Sequence, residues 1–171
     1  QPGMCLDFGG IGKEYAVDCV VALANQHGVA NVLVDFGQDI RVVGCPPGRP
    51  AWHVGLENPQ QPGQCWASVG LLDHAVASSG DYLRHFVHNG RRYGHIIDPR
   101  TGYPVSNGNL AVYVVAPTCT TAGILSTTAF ILGPREGYDL INSFHGAYGV
   151  VISEHGNHIT PRFYEHMVQQ N

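Results

Sequence analysis

Three short stretches hold the side chains whose types and spacing suit chemistry. The first, Asp7-Phe8-Gly9-Gly10-Ile11-Gly12-Lys13, sets glycines between a carboxylate and an ammonium. Without a Cβ, glycine lets the backbone approach a ligand closely, and the unpaired N–H groups of a following helix favour an anion. Lys13 adds a mobile positive charge, so the turn suits a phosphate or pyrophosphate. It is not a P-loop: the pattern GxxxxGK[ST] needs glycine where Asp7 stands and a hydroxyl where Glu14 stands.

The second stretch, His95-Ile-Ile-Asp98-Pro99-Arg100-Thr101-Gly102-Tyr103-Pro104, gathers His, Asp, Arg and Thr within seven residues in a loop stiffened by Pro99 and Pro104. Its other reading is a turn held by an internal Asp98–Arg100 pair. Just upstream, Ser78-Ser79-Gly80-Asp81-Tyr82 reads as a small-residue turn. The third stretch is Ala122-Gly123-Ile124-Leu125-Ser126-Thr127, in which positions 123 and 127 share a helix face. Thr127 and Ser126 offer oxygens to a hard cation such as magnesium, although helical hydroxyls commonly bond back to their own backbone.

The elements that position these stretches follow from periodicity. Residues 13–27 carry apolar side chains at helical spacing and stop at Gly28. NVLVDF and IRVVG flank a turn at Gly37-Gln38-Asp39, with a strand expected at the entry to the first glycine turn and another at Trp52–Leu56. Residues 57–64 are loop, Leu71–Ala77 and Tyr82–Val87 extended, and Asn89-Gly90 a hairpin turn. AVYVVAP (111–117) is a buried strand, 120–133 a helix ending at Gly133, and REGYDLINSF a second one. Tyr148–Ser153 and His158–Phe163 form a closing hairpin around His155-Gly156-Asn157. Helices and strands mix without regular βαβ alternation, so the fold class is α+β, a mainly antiparallel sheet with packed helices.

Composition narrows the function classes. The chain has 171 residues, enough for one domain with its own core, and is 44% hydrophobic but only 13% charged. A net charge of -4 does not suit a nucleic-acid binder, and no apolar run is long enough for a transmembrane helix. The five cysteines form no CxxC pair and read as small buried apolar residues; a Cys45–Cys65 disulfide is left open. The first motif begins at Asp7, and upstream sequence is expected to be missing.

DFGGIGKEYAVD, NVLVDFGQDI, WHVGLENP, SSGDYLRHFVHNGRRYGHIIDPRTGYPV and VYVVAPTCTTAGILSTTAFILG, in this order, resemble the FAD:protein FMN transferases, once called thiamine-biosynthesis lipoproteins. The resemblance covers residues 5 to 133, and HIIDPRTG is its most specific part. It implies a flavin-transferase, T-fold-like architecture and one domain over residues 1–171 that lacks the family's N-terminal part. It implies transfer of FMN from FAD to a Ser or Thr hydroxyl of an acceptor protein, with magnesium on the pyrophosphate and AMP released. Asp7 and Lys13 then contact the flavin nucleotide and Ile97 lines the flavin pocket. His95 handles the acceptor hydroxyl's proton, and Gly10, Ser126 and Thr127 face the metal. A flavin-binding module without transfer, and hydrolysis of FAD to FMN and AMP, are the alternatives. Family habit implies export to the periplasm or membrane surface; a homo-oligomer is left open.

The chain departs from the family pattern in three places. Gly123 stands where relatives carry an acidic residue, Glu14 where they carry glycine, and Gln38 in a turn that usually reads GGD. Asp39, Asp81 and Asp98 are the candidates to replace the missing carboxylate.

Overall fold

The computed structural model describes residues 1–168. Helix α1 (Gly12–Gln26) leads into strands β1 (Val32–Asp35), β2 (Ile40–Val43), β3 (Trp52–Glu57), β4 (Cys65–Leu71) and β5 (Ala75–Gly80). Next come β6 (His85–His88), β7 (Arg91–Gly94), β8 (Ile97–Asp98), β9 (Tyr103–Pro104) and β10 (Asn109–Ala116). Helices α2 (Cys119–Leu132) and α3 (Pro134–Ser143) follow, then β11 (Tyr148–Ser153), β12 (Gly156–Ile159), α4 (Pro161–His166) and β13 (Met167–Val168).

Strand β10 reads as an unbroken apolar run because both of its faces are covered. It lies inside a six-stranded antiparallel sheet ordered β1-β2-β5-β10-β11-β12. On one face Val112, Val114 and Ala116 meet Ala122, Leu125, Ala129 and Phe130 of α2. On the other, Ala111, Tyr113 and Val115 pack with Val54, Leu56, Val69 and Leu71 of a three-stranded sheet ordered β13-β4-β3, and with Phe163 of α4. The result is three layers: helices, large sheet, small sheet. Each fully buried Val, Leu or Phe contributes about 1.5–3 kcal/mol. No helix among the described residues is long and apolar enough to cross a membrane.

Helix α1 joins the helical layer through Val17 and Val21, one turn apart, against Val34, Ala75 and Cys119. A polar latch fixes its rotation. The Asp18 carboxylate accepts from Cys119 N and Thr120 N at 2.9 Å, Thr120 Oγ1 at 2.7 Å and Arg41 Nη1 at 2.8 Å. It thereby satisfies two N–H groups that the start of α2 leaves unpaired, where a negative charge is favoured. Burial alone would raise the Asp18 pKa, but the Thr120 and Cys119 hydrogen bonds and the Arg41 charge outweigh it and hold the carboxyl below its ordinary value.

Asn89 (φ 49°) and Gly90 (φ 74°) are both left-handed, so the β6–β7 hairpin closes on the turn expected of Asn-Gly. Other expectations need correction. No strand precedes α1 among the described residues. The stretch Leu71–Ala77 is broken: Asp73 takes φ 53°, which sends Leu71 into the small sheet and Ala75 into the large one. Ser78–Gly80 is strand rather than turn, paired with Tyr113, Val112 and Ala111 of β10. Extended structure after Tyr82 resumes only at His85. The closing strand ends at Ile159, because Pro161 occupies the first turn of α4, where its missing N–H costs nothing. All five cysteines are free thiols and only Cys119 is buried; Cys65 Sγ donates to the Ala67 carbonyl at 2.9 Å instead of bridging to Cys45.

Candidate functional site

A cleft of about 660 Å³ opens where α1 begins, large enough for a small-molecule ligand. Six segments line it: Asp7, Gly9, Gly10, Lys13 and Glu14; the β1–β2 turn Gly37–Asp39; Ser78–Gly80 of β5; Tyr82–Arg84; His95–Ile97; and Thr127 with Ile131 of α2. The glycine turn, the histidine loop and the hydroxyl-bearing helix therefore face one space. Of the residues expected to act, Asp7, Gly10, Lys13, His95, Ile97 and Thr127 line the cleft, and Ser126 does not.

At the entrance, Asp7 Oδ1 accepts from Gly9 N at 2.6 Å and folds the glycine turn onto itself. Space beside Gly10 is open. Lys13 Nζ donates to Asp39 Oδ2 across the cleft. Burial raises the Asp39 pKa, while the bond from Lys13 and its charge work the other way. Among the described residues no three His, Cys, Asp or Glu side chains gather into a metal cage.

Below them lies a row of hydroxyls. Ser79 Oγ is 2.9 Å from both Ser126 Oγ and Thr127 Oγ1, and Ser126 Oγ lies 3.1 Å from the Gly123 carbonyl. A carbonyl can only accept and each hydroxyl has one proton, so the direction is set. Ser126 donates to Gly123, Ser79 to Ser126 and Thr127 to Ser79, which leaves the Thr127 lone pairs free. Ser126 is 0% exposed, and its oxygen is spent behind the wall. One residue of helix turns a side chain by a wide angle, and this separates Ser126 from the surface that Thr127 presents.

The histidine loop is held from two sides. Arg92 pairs with Asp81, which also packs against Gly94, so the hairpin carrying His95 is tied to the end of β5. After it, Arg100 clasps Asp98 through Nε at 2.9 Å and Nη2 at 2.8 Å, and Gly102 N donates to the Asp98 carbonyl at 2.8 Å. The hydrogen bonds from Arg100 hold the Asp98 carboxyl below its ordinary pKa. Within HIIDPRTG, Asp98 and Arg100 thus build a turn, and neither they nor Asp81 line the cleft. His95 Nδ1 is 3.1 Å from the Arg84 carbonyl and donates to it, which leaves Nε2 as an acceptor.

The reading from residues passed over two groups, Ser79 and Glu14. Ser79 was hidden in what looked like a turn. Glu14 is 6% exposed, lines the cleft and lies against Gly123. In the sequence the signal for it lies in what the resemblance implies, glycine at 14 and an acid at 123, where this chain has Glu14 and Gly123.

Comparison with known proteins fits this geometry. The FAD:protein FMN transferase of Treponema pallidum is 37% identical over 161 residues, 89% of this chain and 44% of that protein. That of Haemophilus influenzae is 34% identical over 161 residues, 93% of this chain and 46% of that protein. The chain thus spans about half the length of the curated relatives it matches. Among solved structures, the ApbE protein of Thermotoga maritima superposes with a TM-score of 0.88 at 33% identity, over 98% of this chain and 55% of that one. The apo flavinyl transferase ApbE of Pseudomonas stutzeri gives 0.81 at 31%, over 97% and 52%. The ApbE family model matches residues 1–152, and the chain belongs to the ApbE family.

Proposed function

We propose that this chain binds FAD in the cleft and transfers its FMN moiety to a Ser or Thr hydroxyl of an acceptor protein, releasing AMP. What carries the reading is the convergence of glycine turn, histidine and hydroxyl row on one cleft, in a chain whose relatives bear the name of that reaction. In the transfer, the acceptor oxygen forms a bond to the FMN phosphorus and the pyrophosphate P–O bond breaks. AMP leaves with the bonding electron pair.

His95 Nε2, oriented by the bond from Nδ1 to Arg84, takes the proton from the attacking hydroxyl. Lys13 places positive charge beside the phosphates, and the open backbone around Gly10 lets them come close. Ile97 offers an apolar edge to the flavin, and Asp7 shapes the entrance. The donors present are hard oxygens, which suit magnesium held jointly with substrate phosphates better than a site made of protein alone. The Thr127 hydroxyl and the Gly10 carbonyl would hold that ion. When bound, it neutralises charge on the pyrophosphate oxygens.

The test is incubation of the chain with FAD, magnesium and an acceptor protein. AMP release together with a fluorescent, covalently flavinylated acceptor is expected. AMP without labelled acceptor would replace transfer by hydrolysis, and flavin binding without either product would leave only a binding module.

A further inference from the structure

Among the described residues, three buried side-chain polar atoms have no hydrogen-bond partner: Glu14 Oε2, Arg41 Nε and Asn109 Oδ1. Only the Glu14 atom belongs to a residue that lines the cleft. A carboxylate oxygen withdrawn from water without a partner is costly and calls for an explanation, such as an ion. Burial raises the Glu14 pKa first, a hydrogen bond from its own backbone N–H and the Lys13 charge work against it, and the neighbouring Asp39 charge adds to it.

The fold explains how Glu14 comes to lie there. Asp18 clamps the start of α2, and Glu14 lies one turn back along α1 while Gly123 lies one turn on along α2. A Cβ at residue 123 would lie 2.6 Å from Glu14 Cγ and 2.9 Å from Oε1. The glutamate therefore fills the space that a side chain on α2 would take. A side chain at 123 would have to displace the Glu14 carboxyl end from where it now lies.

We infer that Glu14, supplied from α1, is the anionic ligand for a divalent cation in this cleft. Asp39, Asp81 and Asp98 are not needed as replacements: each is engaged by Lys13, Arg92 or Arg100. The inference rests on the nucleotide reading of the cleft for the cation's remaining ligands, Thr127 and the phosphates.

The experiment titrates Mn²⁺ into the full chain, with and without FAD, and follows free Mn²⁺ by electron paramagnetic resonance. Glu14→Gln is expected to weaken Mn²⁺ binding roughly tenfold or more. Glu14→Gly combined with Gly123→Asp should recover it to within about threefold of the parent. Gly123→Asp alone should not bind better, because its side chain meets Glu14. If the parent and Glu14→Gln bind Mn²⁺ equally, or the parent binds none in either condition, the assignment is wrong. Quenching of flavin fluorescence, recorded in parallel, separates the two readings. FAD bound equally by parent and Glu14→Gln, with no cation effect, overturns the Glu14 assignment and keeps the nucleotide site. Cation binding that needs Glu14 in a chain that binds no FAD does the reverse. Thermal unfolding without cation establishes that each variant is folded, and the double exchange decides the matter if Glu14→Gln is not.

Discussion

The floor and the rim of the cleft are built by different means. On the floor, Ser79 hangs from a strand with neighbours on both sides, Thr127 from a helix packed on that strand, and Glu14 from a helix latched to it by Asp18. On the rim, Asp7 and Gly10 ride on an exposed turn, and His95 follows an exposed hairpin joined to the body by the Arg92–Asp81 pair. Groups that hold charged atoms in fixed geometry come from the layered core, where opening costs close to the global stability. Groups that would meet an acceptor under the proposed transfer come from segments that can adjust locally. Substitutions on the rim should therefore change reactivity or local opening and leave the layered core unaffected, and those on the floor should lower global stability first.

The largest effect is expected on the rim. His95→Ala should lower the transfer rate by roughly 10²- to 10⁴-fold, the range that a positioned proton acceptor contributes. Its midpoint of thermal unfolding should stay at the parent value, since the ring is exposed. A matching loss of stability would erase the distinction between the two regions.

Next comes the floor. Asp18→Ala strands two helix N–H groups and the partly buried Arg41, and should cost about 2–3 kcal/mol in urea unfolding. The pH dependence has a definite sign. Because the folded pKa of Asp18 lies below its ordinary 3.8, its contribution is fully present above that value and is lost as pH falls through the folded pKa. The difference between parent and variant should therefore shrink in acid below about pH 4, and a difference that grew there would rule out the latch.

The smallest effect sharpens the comparison within the rim. Gly90→Ala places a Cβ on a left-handed residue and should cost about 1 kcal/mol. That cost should appear as faster hydrogen exchange in β6 and β7, with β5 and β10 unchanged. Slower-exchanging core strands responding as well would mean that the hairpin is not an independent unit.

Much of this division could be read from the residues alone. Helix α1 with its stop at Gly28, the Asn89-Gly90 turn, β10 and α2 are all set by local signals of periodicity and turn chemistry. The order of the motifs was enough to bring the glycine turn, the histidine loop and Thr127 into one expected site. Ser78–Gly80 escaped because small polar residues read as a turn, and their strand state comes from pairing with β10, far along the chain. Asp73 escaped because a non-glycine residue with positive φ leaves no mark in sequence. Ser126 lies behind the cleft wall while Thr127 faces the cleft because neighbouring hydroxyls on a helix point in different directions. Glu14 looked like a minor departure because its position has meaning only beside residue 123, and nothing local links the two.

The hydroxyl row running from Thr127 through Ser79 and Ser126 to the Gly123 carbonyl polarises the cleft without using any ionisable group. Its arrow points away from the ligand, so an incoming electropositive atom meets lone pairs rather than a competing proton, at every pH where the protein is folded. With alanine at 79 the arrow loses its middle link, and the Thr127 proton, released from Ser79, is free to turn toward a cation and meet it with the wrong sign.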